Sequence, residues 1–100
     1  MFNLLFKKPK EPAEIKKLYN IPETIHLNIR IDNGWFLVSS NELPGLITQA
    51  RTAEELLEMV NDAILTYYDV PKREAKEVFD TVDIEGLGTI TSKKKVLVAN

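Results

Sequence analysis

The sequence contains no cysteine and a single histidine, His26. The lack of cysteine excludes disulfide bonds, thiolate metal sites and cysteine nucleophiles, and one histidine excludes any site built on two histidines of the same chain. No apolar run is longer than five residues, far short of the roughly 20 residues that cross a bilayer as a helix. The N-terminal MFNLLFKKPK has its apolar residues before its lysines and no cleavage motif, so we expect no signal peptide and a cytoplasmic protein.

The length and composition are typical of one globular domain. Of the 100 residues, 44% are hydrophobic and 28% are charged, and the net charge is −2. A chain of this size buries only a modest core, so association into a homodimer or a higher oligomer would stabilise it. The charge is uneven, at +3 for residues 1–20, −6 for residues 21–69 and +1 for residues 70–100. The acidic middle disfavours contact with nucleic-acid phosphates and suits a basic protein partner, although a solvated helix face has the same charge pattern.

A β-hairpin is predicted from strict alternation and turn chemistry. Residues 24–31 alternate polar and apolar side chains, which is typical of a half-buried strand, and Asp32-Asn33-Gly34 then favours a tight turn. With Asn33 and Gly34 as the loop, Asp32 pairs with Trp35, residue 31 with residue 36, and residue 29 with residue 38. This register puts Phe36 and Val38 on the same face as the isoleucines, which we expect to be the core face.

The opposite face of the hairpin then carries Trp35 and Leu37 beside Arg30. A tryptophan and a leucine on a face that should meet water have two explanations. Either the N-terminal segment from Phe2 to Phe6 or the chain end covers them, or they form a protein-binding or dimer face.

The clearest helix signal follows a short predicted strand at residues 46–50. Thr52 with Glu55 forms a capping box, and apolar residues then recur at steps of three and four: Ala53, Leu56, Leu57, Val60, Ala63, Ile64 and Tyr67. The acidic residues Glu54, Glu58 and Asp62 lie off that apolar stripe. We expect this helix to cross the isoleucine face of the sheet. Further on, Lys72–Thr81 is predicted as a second short helix, and Thr89–Ala99 as a β-element in two pieces around residues 92–93.

The inventory of reactive groups is small. Ser39 and Ser40 with His26 are the only candidates for a serine nucleophile with a base, and consecutive serines that end a strand are more simply structural. A metal site would need carboxylates, and the acids of the helix have no second acidic cluster elsewhere to complete one. We therefore predict no catalytic residue, no metal ion and no cofactor.

The central motif resembles the HicB-like antitoxin family. It comprises Gly34-Trp35, Val38-Ser39-Ser40, the run Glu42-Leu43-Pro44-Gly45-Leu46, then Thr48, Ala50, Thr52 and Glu54-Glu55-Leu56. The resemblance covers about residues 24–70 and implies a partial ribonuclease-H-like fold, in which three antiparallel strands, a helix across them and a further strand follow one another. It also implies a partner, because antitoxins of this family block a small basic toxin, HicA, that cleaves messenger RNA.

The chain departs from that family at its end. Many members carry a C-terminal DNA-binding segment, but residues 71–100 offer no convincing pair of DNA-binding helices, so operator binding is not expected. Strand one, residues 24–31, also lacks the acids that ribonuclease H uses to hold two metal ions.

These observations together predict one α+β domain with a three-stranded antiparallel sheet under one main helix. Its parts are an extension at residues 1–23, a HicB-like core at residues 24–70 and a helix and strand segment at residues 71–100. We predict a non-catalytic antitoxin-like module whose partner contacts come from Arg30, Trp35, Leu37, Glu54, Glu58 and Asp62. The alternatives are an orphan oligomeric HicB-like domain and a vestigial ribonuclease-H-like nucleic-acid binder.

Overall fold

A computed structural model of the chain describes residues 10–84, 88–91 and 97–98. It confirms an α+β fold with a helix packed on a three-stranded antiparallel sheet. The elements in order are α1 (Pro12–Tyr19), β1 (Asn28–Asp32), β2 (Trp35–Ser39), β3 (Ile47–Ala50), α2 (Ala53–Tyr67), β4 (Thr81–Ile84), β5 (Gly88–Thr91) and β6 (Leu97–Val98). Strands β1, β2 and β3 form the first sheet in that order, and β4, β5 and β6 form a second.

The hairpin of β1 and β2 has the predicted register. Asp32 lies opposite Trp35, and residues 31 and 29 lie opposite residues 36 and 38. Asn33 and Gly34 make the turn with φ of 50° and 80°, values that these two residue types adopt at low cost. The confirmed register follows from local turn chemistry, since the turn fixes the pairing of both strands.

Strand β1 is shorter than the predicted strand. It begins at Asn28, although the alternation in burial already starts at residue 24, with Ile25 and Leu27 half-buried between exposed neighbours. The hydroxyl of Ser40 donates to the carbonyl oxygen of His26 at 2.9 Å, so a side chain takes the place of the strand ladder there. The expectation that all four isoleucine-face residues are core is wrong for Ile31, which is 52% exposed beside the turn.

Helix α2 begins as its sequence predicts. The Thr52 hydroxyl accepts a hydrogen bond from the Glu55 amide at 3.0 Å, and the Glu55 carboxylate accepts one from the Arg51 amide at 2.9 Å. The buried residues of the helix are Leu56, Leu57, Val60, Asn61, Ile64 and Leu65. Tyr67 departs from the predicted stripe, because it is 40% exposed and its hydroxyl donates to the Pro44 carbonyl oxygen. Glu54, Glu58 and Asp62 are exposed, as predicted.

The predicted second short helix at Lys72–Thr81 is wrong. Residues 72–80 form turns and bends. The amides of Val78 and Phe79 donate to the side chain of Asn61 in α2, which replaces the carbonyl acceptors that a helix would supply. The predicted two-part β-element corresponds to β5 and β6, while β4, which pairs with β5 from Thr81 opposite Thr91, was not predicted.

The core lies around α2, which contacts β3 of the first sheet and β5 of the second. Its buried apolar residues come from both helices, from β2 to β5 and from the connecting segments: Ile15, Ile21, Val38, Leu43, Leu46, Ala50, Leu56, Leu57, Val60, Ile64, Leu65, Val70, Ala75, Val78, Val82, Ile84 and Ile90. Within the described ranges, no helix is long and apolar enough to cross a bilayer.

Helix α1 is tied to the segment after α2. Ile15 is completely buried, and Asn20 ends the helix in the left-handed region with φ of 57°. The Tyr19 hydroxyl donates to one carboxylate oxygen of Glu74 at 2.8 Å, and the Lys10 ammonium lies 3.0 Å from the other. These two contacts hold the pKa of Glu74 below its ordinary value. The described part of the N-terminal extension is therefore packed against the C-terminal segment.

Candidate protein-binding surfaces

The predicted acidic residues of α2 line a groove. Glu54, Glu58 and Asp62 follow one another at intervals of four residues, so they lie along one flank of the helix. They form one wall of a cavity of about 770 Å³, which we call the acidic groove. Helical spacing places these three side chains on one flank, and the groove beside them is a tertiary feature.

The other wall of the acidic groove comes from the turns that follow α2. Lys72, Ala75 and Lys76 lie there, and apolar side chains, including Leu57 and Leu65, line the space between the walls. Sequence analysis missed this wall because it predicted a helix for these residues.

One ion pair spans the acidic groove. The Lys72 ammonium lies 3.4 Å from a carboxylate oxygen of Asp62, and both side chains are at least half exposed. A pair so exposed to solvent is worth little, on the order of 0–1 kcal/mol, because water and salt screen it. A competing cation can therefore displace Lys72 at small cost.

The predicted residues Arg30, Trp35 and Leu37 share the face of the first sheet that points away from α2. The register places Arg30 opposite Leu37, and Leu37 opposite Gln49 of β3. Trp35 and Leu37 are half-buried and Arg30 is exposed, while the neighbouring Ile47 is 79% exposed. We call this set, Arg30, Trp35, Leu37, Ile47 and Gln49, the outer face.

Arg51 completes the outer face, although sequence analysis did not select it. Its guanidinium lies 4.6 Å from the centre of the Trp35 ring, a cation–π contact. Continuing the register of β2 and β3, in which Phe36 lies opposite Ala50, puts Arg51 opposite Trp35. The contact was therefore predictable only once the pairing of β3 was known.

The six predicted contact residues form two surfaces. Helix α2 packs on the inner face of the first sheet, where Val38 and Ala50 are buried, and the outer face is on the reverse of that sheet. The acidic groove and the outer face are therefore separate. The predicted cover of the outer face by residues 2–6 or by the chain end lies outside the described residues.

The Ser and His candidates do not face each other as a nucleophile and a base. The Ser40 hydroxyl donates to the main-chain carbonyl of His26 and accepts from the amides of Glu42 and Leu43. The His26 ring lies 2.6 Å from a carboxylate oxygen of Glu42, and this hydrogen bond lowers the pKa of Glu42. Both interactions fix the loop that contains Leu43-Pro44-Gly45.

Like the serines and His26, the carboxylates of the described chain do not form a reactive site. No group of three or more histidine, aspartate or glutamate side chains in the described chain converges in a way that could hold a metal ion. The acids of α2 spread along its flank, as their spacing requires, and Asp62 pairs with Lys72.

Comparison with protein-family models, curated proteins and solved structures gives no match for this chain. The resemblance to HicB-like antitoxins therefore rests on the motif in residues 34–56 alone. From β1 onward the described elements are three strands, α2 and three further strands, and those later strands form a separate sheet.

Proposed function

We propose that this chain is a non-catalytic protein-binding module of the HicB antitoxin type, and that it sequesters a small, basic, RNA-cleaving toxin. The observation that carries the proposal is the acidic groove, in which Glu54, Glu58 and Asp62 stand in a row beside apolar side chains. The motif that resembles HicB-like antitoxins supports it from the sequence.

The groove has the two properties that a basic partner needs. Its carboxylates lie on a regular helix, so they present fixed charges that attract and orient a cationic surface and speed its association. The half-buried Met59 also lines the groove and offers apolar area, which contributes affinity that salt does not screen. Arginine or lysine side chains of the toxin would pair with Glu54, Glu58 and Asp62. At Asp62, such a side chain would replace Lys72 in the ion pair.

A binding role without catalysis fits the positions of the polar groups. The Ser40 hydroxyl is used by the loop at residues 40–43, and β1 carries a carboxylate only at its last residue, Asp32, beside the turn. Ribonuclease H chemistry needs several carboxylates around paired metal ions. This arrangement supports inhibition by binding, in which the chain covers a surface of the toxin and catalyses no reaction.

The outer face favours a second element of the proposal, a homo-oligomer. Trp35, Leu37 and the largely exposed Ile47 form an apolar patch on a sheet. A second copy of the same face would bury it, and a chain of this size gains stability from such an interface.

The decisive experiment recovers the partner and assays what it does. The tagged chain is expressed in its native cells, cross-linked and purified, and the recovered proteins are identified by mass spectrometry. The double variant Glu54→Gln, Glu58→Gln is compared with Glu14→Gln, which changes an exposed acid on α1. The partner is then purified and its cleavage of messenger RNA is measured with and without this chain.

We expect to recover a small basic protein that cleaves RNA. The wild-type chain and Glu14→Gln should inhibit this cleavage, and the double variant should not. A partner without ribonuclease activity, or equal inhibition by all three chains, contradicts it. Light scattering tests the oligomer separately. We expect Ile47→Glu to convert an oligomer to a monomer, and a wild-type monomer at high concentration would refute this element.

A further inference from the structure

A second groove lies between the two sheets. It has a volume of about 620 Å³ and runs between residues 23–27, which precede β1, and strand β4. Val60 and Ile64 of α2 line it from below. It shares no lining residue with the acidic groove, and we call it the edge groove.

Within residues 10–84, 88–91 and 97–98, neither long wall of the edge groove has a strand partner on the side that faces the groove. Strand β4 is at the edge of the second sheet, since the order there is β4, β5, β6. Residues 24–27 alternate in burial like a strand but precede the pairing of β1, which starts at Asn28. In the described chain, no backbone hydrogen bond joins residues 23–27 to residues 79–84. Unpaired edges of this kind accept an added strand.

The volume of the edge groove fits a short strand. A strand spacing of about 4.8 Å, a sheet spacing of about 10 Å and a rise of about 3.3 Å give roughly 160 Å³ for each residue of a packed strand. The groove volume of about 620 Å³ is larger than this, so the groove can admit a short extended segment. The walls are lined by residues 23–27 on one side and by Phe79 and residues 81–84 on the other.

The residues that line the edge groove indicate which side chains an added strand would need. Apolar groups dominate the interior, namely Ile25, Leu27, Val60, Ile64, Phe79, Val82 and Ile84. Among the described lining residues the charged groups are the carboxylates of Glu23 and Asp83, with no lysine or arginine. Glu23 already lies 3.6 Å from the Lys16 ammonium, which also stands over the Phe79 ring at one end of the groove. Asp83 is exposed, and its Oδ1 accepts a hydrogen bond from the Thr89 hydroxyl at 2.7 Å.

We propose that the edge groove binds an extended segment of a partner protein, which adds a strand between residues 24–27 and β4 and joins the two sheets into one. Apolar side chains at alternate positions of the segment pack on the half-buried Ile25, Leu27 and Phe79. A basic side chain on its other face pairs with Asp83. This binding mode is independent of the proposed function, because it uses neither the acidic groove nor the outer face.

The test uses short random peptides displayed on phage as the probe and the full chain as bait. An enriched peptide is synthesised with a fluorescent label, and its affinity is measured by fluorescence anisotropy. We expect Ile25→Lys, which puts a charge in the groove, to weaken binding about tenfold or more. The matched control Ile31→Lys, at a position that is 52% exposed beside the hairpin turn and lines neither groove, is expected to change the affinity less than about twofold. Asp83→Lys changes an exposed residue and keeps the core, so it tests the groove even if Ile25→Lys fails to fold.

Amide hydrogen exchange by NMR identifies the added strand directly. The bound peptide should slow the exchange of alternate amides in residues 24–27 and of the β4 amides that do not pair with β5. Failure to enrich any peptide, or peptides that instead protect the acidic groove or the outer face, overturns the proposal. Slow exchange of these amides in the protein alone also overturns it. If the slow exchange in the protein alone becomes slower at higher protein concentration, a second copy of the chain occupies the edge groove. If it does not depend on protein concentration, a segment of the same chain occupies it.

Discussion

Asn61 should contribute more to stability than any other polar side chain of the described structure. It is 2% exposed in the middle of α2. Its amide nitrogen donates to the carbonyl oxygens of Phe79 at 2.7 Å and Leu57 at 3.1 Å. Its amide oxygen accepts from the backbone amides of Val78 and Phe79, both at 2.8 Å. One side chain therefore replaces a strand or helix partner for the segment that leads into β4.

The substitution Asn61→Ala removes these hydrogen-bond partners, and the resulting loss in the free energy of unfolding follows from their number. The Leu57 carbonyl keeps its helical bond, so three backbone groups of Val78 and Phe79 lose their partner. At about 1 kcal/mol for each lost bond, with more for a donor left buried, the free energy of unfolding should fall by about 3 kcal/mol. With a urea dependence of about 1.5 kcal/mol per molar, the unfolding midpoint should fall by about 2 M.

The assay is urea unfolding followed by circular dichroism, with Asn28→Ala as the matched control. Asn28 is exposed and bonds only to the Asn41 side chain at 3.2 Å, so its loss should cost less than about 0.5 kcal/mol. Amide exchange should become faster at Val78 and Phe79 in Asn61→Ala. Equal midpoints for the two variants would refute the argument that Asn61 anchors the entry to β4.

Three further outcomes are expected. Leu57→Ala should lower the free energy of unfolding by about 2–5 kcal/mol, because Leu57 is 4% exposed and its truncation leaves a cavity; a neutral urea melt would disprove its place in the core. Thr52→Ala should cost about 1 kcal/mol through loss of the cap on the Glu55 amide, and Thr52→Ser, which keeps the hydroxyl, should restore most of it. Tyr19→Phe should raise the pKa of Glu74 in an NMR titration, since the Tyr19 hydroxyl is the main cause of its lowering. A lowered carboxyl pKa gives stability that is present above the unfolded pKa and is lost as the pH falls through the folded pKa, so Tyr19→Phe should lose less stability on acidification than the wild type. An unchanged Glu74 titration would contradict this assignment.

The first sheet and α2 were predictable because their signals are local. Asn33-Gly34 sets the hairpin register within the turn itself, and Thr52 with Glu55 starts α2 through contacts three residues apart. The acidic row at Glu54 and Glu58 follows from helical spacing in the same way. Such features need no knowledge of the rest of the chain.

The groove beside those acids was not predictable. It needs the turns after α2, and a local interpretation of Lys72–Thr81 favoured a helix. The deciding contacts come from Asn61, which lies 17 and 18 residues from its partners Val78 and Phe79. An asparagine inside a helix gives no sign of such a role, because its intrinsic preference is for caps and turns.

The sequence by itself therefore determined the hairpin register, the start and buried side of α2, and the row of acids along that helix. Only the tertiary structure decided that the acids form one wall of a groove, that the outer face is separate from them, and that an edge groove lies between the two sheets. The physical reason is the distance along the sequence between the residues that interact. Turns, caps and helical spacing act within four or five residues, whereas the grooves form where Asn61 and the apolar core bring distant segments against α2.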